Sequence, residues 1–340
     1  MRQRVKKCLL SFVLVDCLRG IAILLVLIGH IQIFPSQIHK FIYGFHMPLF
    51  FMIAGFLFRQ DRPFPELIHR IALRYIFPYF ILCGINLLIE IIMHSVVGMD
   101  YDIPNFVRGI IYSRGTVECM PNCTPLWFLT ALSSGLVIYF WITRIHSRIA
   151  ALFAVVLCGL VSLALDKYEC PKLFWNIDSA LMGIVFIASG HIIRANNLLG
   201  KFEAFSHAKQ ISLLVIMFSA GTAAIMLNYR NVNFDNNRYG NAVLMLIGGL
   251  SVSSGLFCSA KVIFSQSAGF LGYLGQHTLF IMSFDYFSNR IAKYSLEFIG
   301  LYTWPAVLCV KLAVIMTGLM LWNMLIKRIP DDRYRKLLSF

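Results

Sequence analysis

Apolar residues fall into ten runs long enough to cross a bilayer as helices, at about 10–34, 41–58, 72–97, 125–143, 149–166, 179–194, 209–227, 241–263, 268–288 and 302–326. Short polar loops separate them. The pattern predicts an all-α polytopic integral membrane protein of about ten transmembrane helices. The polar positions inside the runs carry most of the information, because a charge in hydrocarbon is costly and is kept for a partner or a task. The first run, LVDCLRGIAILLVLIGHIQIF from Leu14 to Phe34, holds Asp16, Arg19 and His30. Eleven residues separate Arg19 from His30, so at roughly 100° and 1.5 Å per residue they point within about 20° of each other, about 16 Å apart along the axis. Asp16 lies on the same side, about 60° from Arg19. This ladder should face other helices and not lipid.

The second run opens FHMPLFFMIAGFLF, with His46 and Pro48 near its outer end. Pro48 is tolerable in a first turn, whose N–H groups lack helical acceptors. Gly55 suits close helix packing. The third run begins RIALRYIFPYF and continues with Asn86, Glu90 and His94, spaced by four into one polar stripe. A carboxylate as deep as Glu90 pairs with a cation or keeps its proton, and Arg19 and Lys311 are its candidate partners. Trp127 opens the fourth run, where an aromatic belt residue is expected. His277 and Asp285 lie in the ninth, Asp285 near a solvated outer end.

Of the 30 Lys and Arg, nineteen fall in the terminal segments and the loops on one side once the N-terminus is placed in the cytoplasm. That bias puts both termini in the cytoplasm, which an even number of spans requires. The composition agrees: 59% hydrophobic, 14% charged, with a mean hydropathy of +0.73. The net charge of +14 therefore reads as topology and not as nucleic-acid binding. No stretch outside the runs is long enough for a soluble domain, so 1–340 is expected to form a single transmembrane domain. The first run is long and charged and lacks a cleavage pattern, so it reads as a retained span and not as a signal peptide.

Among the external segments, ECMPNCTP carries Cys119 and Cys123, and a later loop carries Cys170. On an oxidising side, Cys119 and Cys123 close a small loop, either pairs with Cys170, or all three stay free. Cys8, Cys17, Cys83, Cys158, Cys258 and Cys309 lie in apolar surroundings and read as small core residues. No Cys and His spacing resembles a metal site, and no phosphate-loop or dinucleotide fingerprint is present. The loop NYRNVNFDNNRYGN, with Tyr239 and Asn241, offers the amides and rings a sugar needs, although turn-forming loops share that composition.

A membrane His with a cation on the same helix face suits transfer of an acyl group from a thioester to a hydroxyl. His30 would be the general base, since imidazole titrates near neutral pH. Arg19 would hold the donor's phosphates or polarise its thioester, oriented by Asp16, and Arg70 and Arg74 at the cytoplasmic start of the third span suit the same phosphates. No Gly-x-Ser-x-Gly is present, which favours direct transfer over an acyl-enzyme. Spacing alone equally permits a structural ion pair or a proton path in a carrier or flippase for a lipid-linked glycan or small polar solute.

DCLRGIAILLVLIGH resembles the opening motif of the integral-membrane acyltransferase family three: Arg or Lys, ten residues, then His. The resemblance continues in FHMPLFFMIAGFLF, RYIFPYF, TPLWFLTALS and FLGYLGQHTLFIMSF, in order along nearly the whole chain. The NNRYGN loop is similar to that of fucose-4-O-acetylase-like glycan O-acetyltransferases. This resemblance implies an acetyl-CoA-dependent O-acetyltransferase in the bacterial inner membrane, acting on a sugar of a surface or lipid-linked glycan. It implies that Arg19 and His30 are the essential pair, that Arg74 faces the coenzyme, and that Trp127 is the Trp of the WFL motif. Many members have His where this chain has Asp285, so the acceptor or its orientation is expected to differ. His46, Glu90, Trp127, Tyr239, Asn241, His277 and Asp285 are the candidate acceptor-binding residues; no metal is expected.

Overall fold

The computed structural model describes residues 2–97, 102–113, 115, 120, 122–263 and 269–331, without the side chains of 2–12 and 97. These residues form helices α1 Arg2–Gly29, α2 Ser36–Leu57, α3 Phe64–Ile71, α4 Phe77–Val97, α5 Ile103–Tyr112, α6 Trp127–Ile142 and α7 Arg148–Lys167. The second half continues with α8 Ile177–Ala195, α9 Leu198–Glu203, α10 His207–Leu227, α11 Ala242–Ile263, α12 Gly269–Gln276, α13 Thr278–Phe298 and α14 Trp304–Lys327. The protein is thus an all-α polytopic membrane protein. Among the described residues, eight helices are long and apolar enough to cross a membrane. The other two expected spans correspond to α1 and to the α12–α13 pair, which breaks at His277 (φ −106°, ψ 23°).

Burial separates inner helices from outer ones. Most of α2, α6 and α8 is buried, whereas α7, α10 and α14 turn Phe153, Leu160, Ile211, Ile216, Leu321 and Leu325 outward. An apolar outer face of this kind is what a membrane span offers to lipid tails.

Glycines set the closest approaches. A Cβ on Gly55 of α2 would lie 1.9 Å from the Ile187 carbonyl oxygen, and one on Gly190 of α8 would lie 1.9 Å from that of Met52. The two backbones cross in contact, as the small residue at 55 predicts. The same reciprocal arrangement joins α1 to α12: a Cβ on Gly20 would meet the Leu271 oxygen at 1.9 Å, and one on Gly275 the Asp16 oxygen at 1.8 Å. This crossing places Asp16 and Arg19 beside the α12–α13 break.

Two prolines shape the second and third spans. α2 begins at Ser36, so Pro48 lies inside the helix and not in its first turn. Its ring fills the space where α11 approaches at Gly249, whose Cβ would lie 3.0 Å from the Pro48 Cγ. Pro48 cannot donate to the Gly44 carbonyl, a local cost that the surrounding packing offsets. Pro78 likewise leaves the Arg74 carbonyl without a helical donor. The preceding turn, Ala72–Ile76, widens into a π-helix in which Phe77 N–H bonds the Ala72 carbonyl. The third span accordingly begins earlier than its apolar run, and α3 through α4 read as one 33-residue helix, Phe64–Val96.

Candidate active site

α1 ends at Gly29, which leaves its last carbonyls without helical donors. Lys311 of α14, fully buried, supplies one: its Nζ donates to the Leu27 carbonyl at 2.9 Å. A cation at a helix C-terminus also complements the helix dipole. The same Nζ lies 2.8 Å from Asp285 Oδ1 on α13. The other carboxylate oxygen of Asp285 contacts His30 Nδ1. Asp285 is therefore fully buried between the Lys311 ammonium and the His30 imidazole and not solvated, and Lys311 pairs with it and not with Glu90. A carboxylate on Nδ1 assigns the ring proton to that nitrogen and leaves the Nε2 lone pair free. Tyr286 and Tyr43 flank the imidazole, their ring centroids 5.2 and 6.4 Å away.

Two cavities meet beside this arrangement. The first, about 350 Å³, is lined by Arg19, Arg74, Tyr75, Gln276 and Thr278 over an apolar wall. The second, about 430 Å³, is lined by His30, Tyr43, His46, Trp127 and Tyr286, and by Asn233, Asp235 and Asn236 of the loop before α11. Phe50, Phe128 and Met282 line both. They form an apolar collar, with the Phe50 and Phe128 rings 5.5 Å apart between centroids. α1 runs alongside, one polar residue at each cavity, as the spacing of Arg19 and His30 predicts.

At the first cavity, Arg19 Nη1 lies 3.8 Å from Asp16 Oδ1, and Gln276 Nε2 donates to Asp16 Oδ2 at 3.0 Å. Asp16 thus holds two cavity-lining side chains without lining the cavity itself. Arg74 reaches it from the π-turn. Arg70 does not: its Nε bonds Glu66 Oε1 at 3.0 Å.

At the second cavity, Trp127 is buried and is no interfacial belt residue. Its Cβ would lie 2.9 Å from a Cβ on Gly115, so that glycine admits the indole. His46 is buried and its Nδ1 donates to the Ile42 carbonyl at 2.8 Å. Tyr239 and Asn241, the loop residues singled out by sequence, do not line it. The Tyr239 hydroxyl donates to Asn237 Oδ1 at 2.7 Å, and Asn241 Oδ1 accepts the Leu244 N–H at 3.1 Å. They fold the loop, and its apex faces the cavity instead. His277 spends Nδ1 on the Tyr273 carbonyl at 2.9 Å, at the helix break.

Glu90 pairs with neither Arg19 nor Lys311. It is buried, with Arg290 of α13 and Asn122 on one carboxylate oxygen and His94 Nδ1 3.4 Å from the other. Arg290 lies beyond the end of the ninth apolar run, 268–288, yet still within α13. Cys123 is buried and Cys170 exposed, both as free thiols, while Cys119 lies outside the described residues. Cys309 is exposed and not a core residue. No group of three or more His, Cys, Asp or Glu among the described residues is placed to hold a metal ion.

A family model described as an acyltransferase domain matches residues 12–321. The chain belongs to acyltransferase family three. No significant match was found among curated proteins or among solved structures. The matched span takes in every residue of both cavities. The protein is accordingly a membrane acyltransferase.

Proposed function

We propose that the protein transfers an acetyl group from acetyl-CoA to a sugar hydroxyl of a bacterial surface or lipid-linked glycan, working from the bacterial inner membrane with both termini in the cytoplasm. The observation that carries this reading is the junction of two unlike cavities at the Phe50, Phe128 and Met282 collar. One offers two guanidinium groups, which grip phosphate oxygens in a bidentate manner. The other offers an imidazole with a free lone pair among the rings and amides that sugars require. In this topology the arginine cavity faces the cytoplasm, where acetyl-CoA is found, and the acceptor approaches His30 from the opposite side.

The acceptor hydroxyl gives its proton to His30 Nε2 as its oxygen attacks the thioester carbonyl. The tetrahedral intermediate expels the coenzyme thiolate, which takes a proton from the imidazolium, and the ester remains on the sugar. Asp285 is a positioning residue that fixes the tautomer and orientation of His30, as a buried carboxylate does in hydrolytic triads. Asp16 positions Arg19. Trp127, His46 and the loop apex would receive the sugar, and Arg19 with Arg74 the donor.

Incubating the purified protein with radiolabelled acetyl-CoA and deacetylated glycan repeat units tests the reading. Transfer is expected, and it should vanish in His30→Ala while folding is retained. Arg19→Ala should chiefly raise the KM for acetyl-CoA. Failure to bind acetyl-CoA, or full activity in His30→Ala, refutes it.

A further inference from the structure

A third cavity, about 660 Å³, also opens at His30, beside the second. His30, Tyr43 and Tyr286 line both, so a molecule that presents a hydroxyl to His30 can extend from one into the other. The two differ in charge. In the second cavity, the carboxylate of Asp235 is matched by Lys172 at 2.7 Å. In the third, Arg290 and Lys293 face a single carboxylate, Glu90.

Glu90 cannot serve a ligand, because it is buried and both its oxygens are engaged. Its effect is to hold the Arg290 guanidinium in place. Arg290 spends Nη1 on Glu90 and on Asn122 Oδ1, the latter at 3.2 Å. Among the described residues its Nε and Nη2 have no partner, and the side chain is 34% exposed. Lys293 stands three residues further along α13, on the same helix face, and has no ion-pair partner among the described residues. A fixed guanidinium edge beside a free ammonium group matches an anion with two or more oxygens. A wholly neutral saccharide would leave Lys293 without a counter-charge and the outer edge of the Arg290 guanidinium without an anionic acceptor.

We propose that the acceptor is an acidic saccharide, whose phosphate or carboxylate group occupies this third cavity against Arg290 and Lys293 while the hydroxyl to be acylated lies at His30. The inference rests on the acyl-transfer reading above and narrows its acceptor class. The anionic oxygens belong either to the sugar itself, as in a uronate, or to a diphosphate joining it to a lipid.

Binding to the full-length protein in detergent separates these sources. Three probes suffice: trigalacturonate, its carboxyl-reduced neutral counterpart, and geranylgeranyl diphosphate. Lys293→Gln is the informative variant, since Arg290→Gln would also strand the buried Glu90 and unfold the site. Loss of one charge-assisted contact should weaken binding of an anionic probe about tenfold, and Lys293→Arg should retain it. A drop for trigalacturonate alone assigns the anion to the sugar, a drop for the diphosphate alone assigns it to the lipid link, and a drop for both still supports an anion site. The neutral trisaccharide should be indifferent to the substitution. If neither anionic probe binds, or if Lys293→Gln leaves both affinities unchanged, the inference is overturned. Acetyl-CoA binding in the same preparations should fall with Arg74→Gln and not with Lys293→Gln. Its absence from the wild type would count against the acyl-transfer reading without touching the anion result.

Discussion

Lys311 and Asp285, on neighbouring helices, form a 2.8 Å ion pair from which water is excluded. Each also has a second duty: the lysine caps α1 at Leu27, and the aspartate holds His30. His30 is thus tied to the end of its own helix through two residues of α13 and α14. Removing one partner strands a buried charge, which typically costs about 3–5 kcal/mol. Lys311→Met should therefore lower the unfolding temperature in detergent sharply. The double variant Lys311→Met, Asp285→Leu should recover most of that stability and none of the transferase activity. Equal stability losses in the single and double variants would show that the pair is not what matters.

The crossing of α1 and α12 leaves no room for a methyl group. In Gly275→Ala the new Cβ would sit 1.8 Å from the Asp16 carbonyl oxygen, a backbone atom that cannot swing aside. The helices must separate, carrying Arg19 and Gln276 apart. Acetyl-CoA binding and thermal stability should both fall. Gly84→Ala in α4 is the control, because nothing lies within 4 Å of its Cβ. That change should be neutral or stabilising by up to about 1 kcal/mol, the usual helix preference for Ala over Gly.

Met282 belongs to both cavities, so its size should govern passage between them. Met282→Trp is expected to reduce kcat about 10²-fold, as small misplacements of reacting groups do, with little change in acetyl-CoA affinity. Steady-state kinetics paired with equilibrium binding of acetyl-CoA would separate the two effects. A fall in affinity with kcat preserved would place the donor's reacting end elsewhere.

Burial pushes the Asp235 carboxyl above the usual carboxylate range, against the opposing pull of Lys172. An acid with a raised folded-state pKa holds its proton more tightly folded than unfolded. Its stabilising contribution is then full below the ordinary value, about 3.9, and is lost as pH rises through the folded pKa. Asp235→Asn has no such loss. The difference in unfolding temperature, variant minus wild type, should increase as the pH rises above about 4. A flat difference would show that burial does not perturb this group.

The helical architecture and the Arg19 and His30 ladder were legible in the apolar pattern, because a long run with charges at matched phase has few other solutions. Gly55 also behaved as its position in an apolar helix predicts. The partners of the buried charges were not legible. Glu90 meets Arg290 and Asn122, and Asp285 meets Lys311, only because α13 packs against α1, α4 and α14, and no local spacing encodes those contacts. Arg290 escaped notice since α13 continues to Phe298, well past the end of its apolar run. In the loop before α11, composition marked a segment that lines the second cavity but not the residues that line it. The side chains that build a loop and those that face a cavity are chemically alike, and only the fold sorts them.

That sorting within residues 228–241 has an evolutionary consequence. The frame is held by Asn228, Asn237 and Tyr239, with Ser162 beneath and Phe234 driven into the core. Asn233, Asp235 and Asn236 face the cavity without Asn228, Asn237 or Tyr239 doing so. Asn233 Oδ1 also accepts the Asn236 N–H at 3.0 Å and Asp235 pairs with Lys172, so of the three it is the Asn236 side chain that can change what sits beside His30 while the hairpin keeps its form. The helices around His30 can then stay fixed while one loop changes the wall of the cavity beside it.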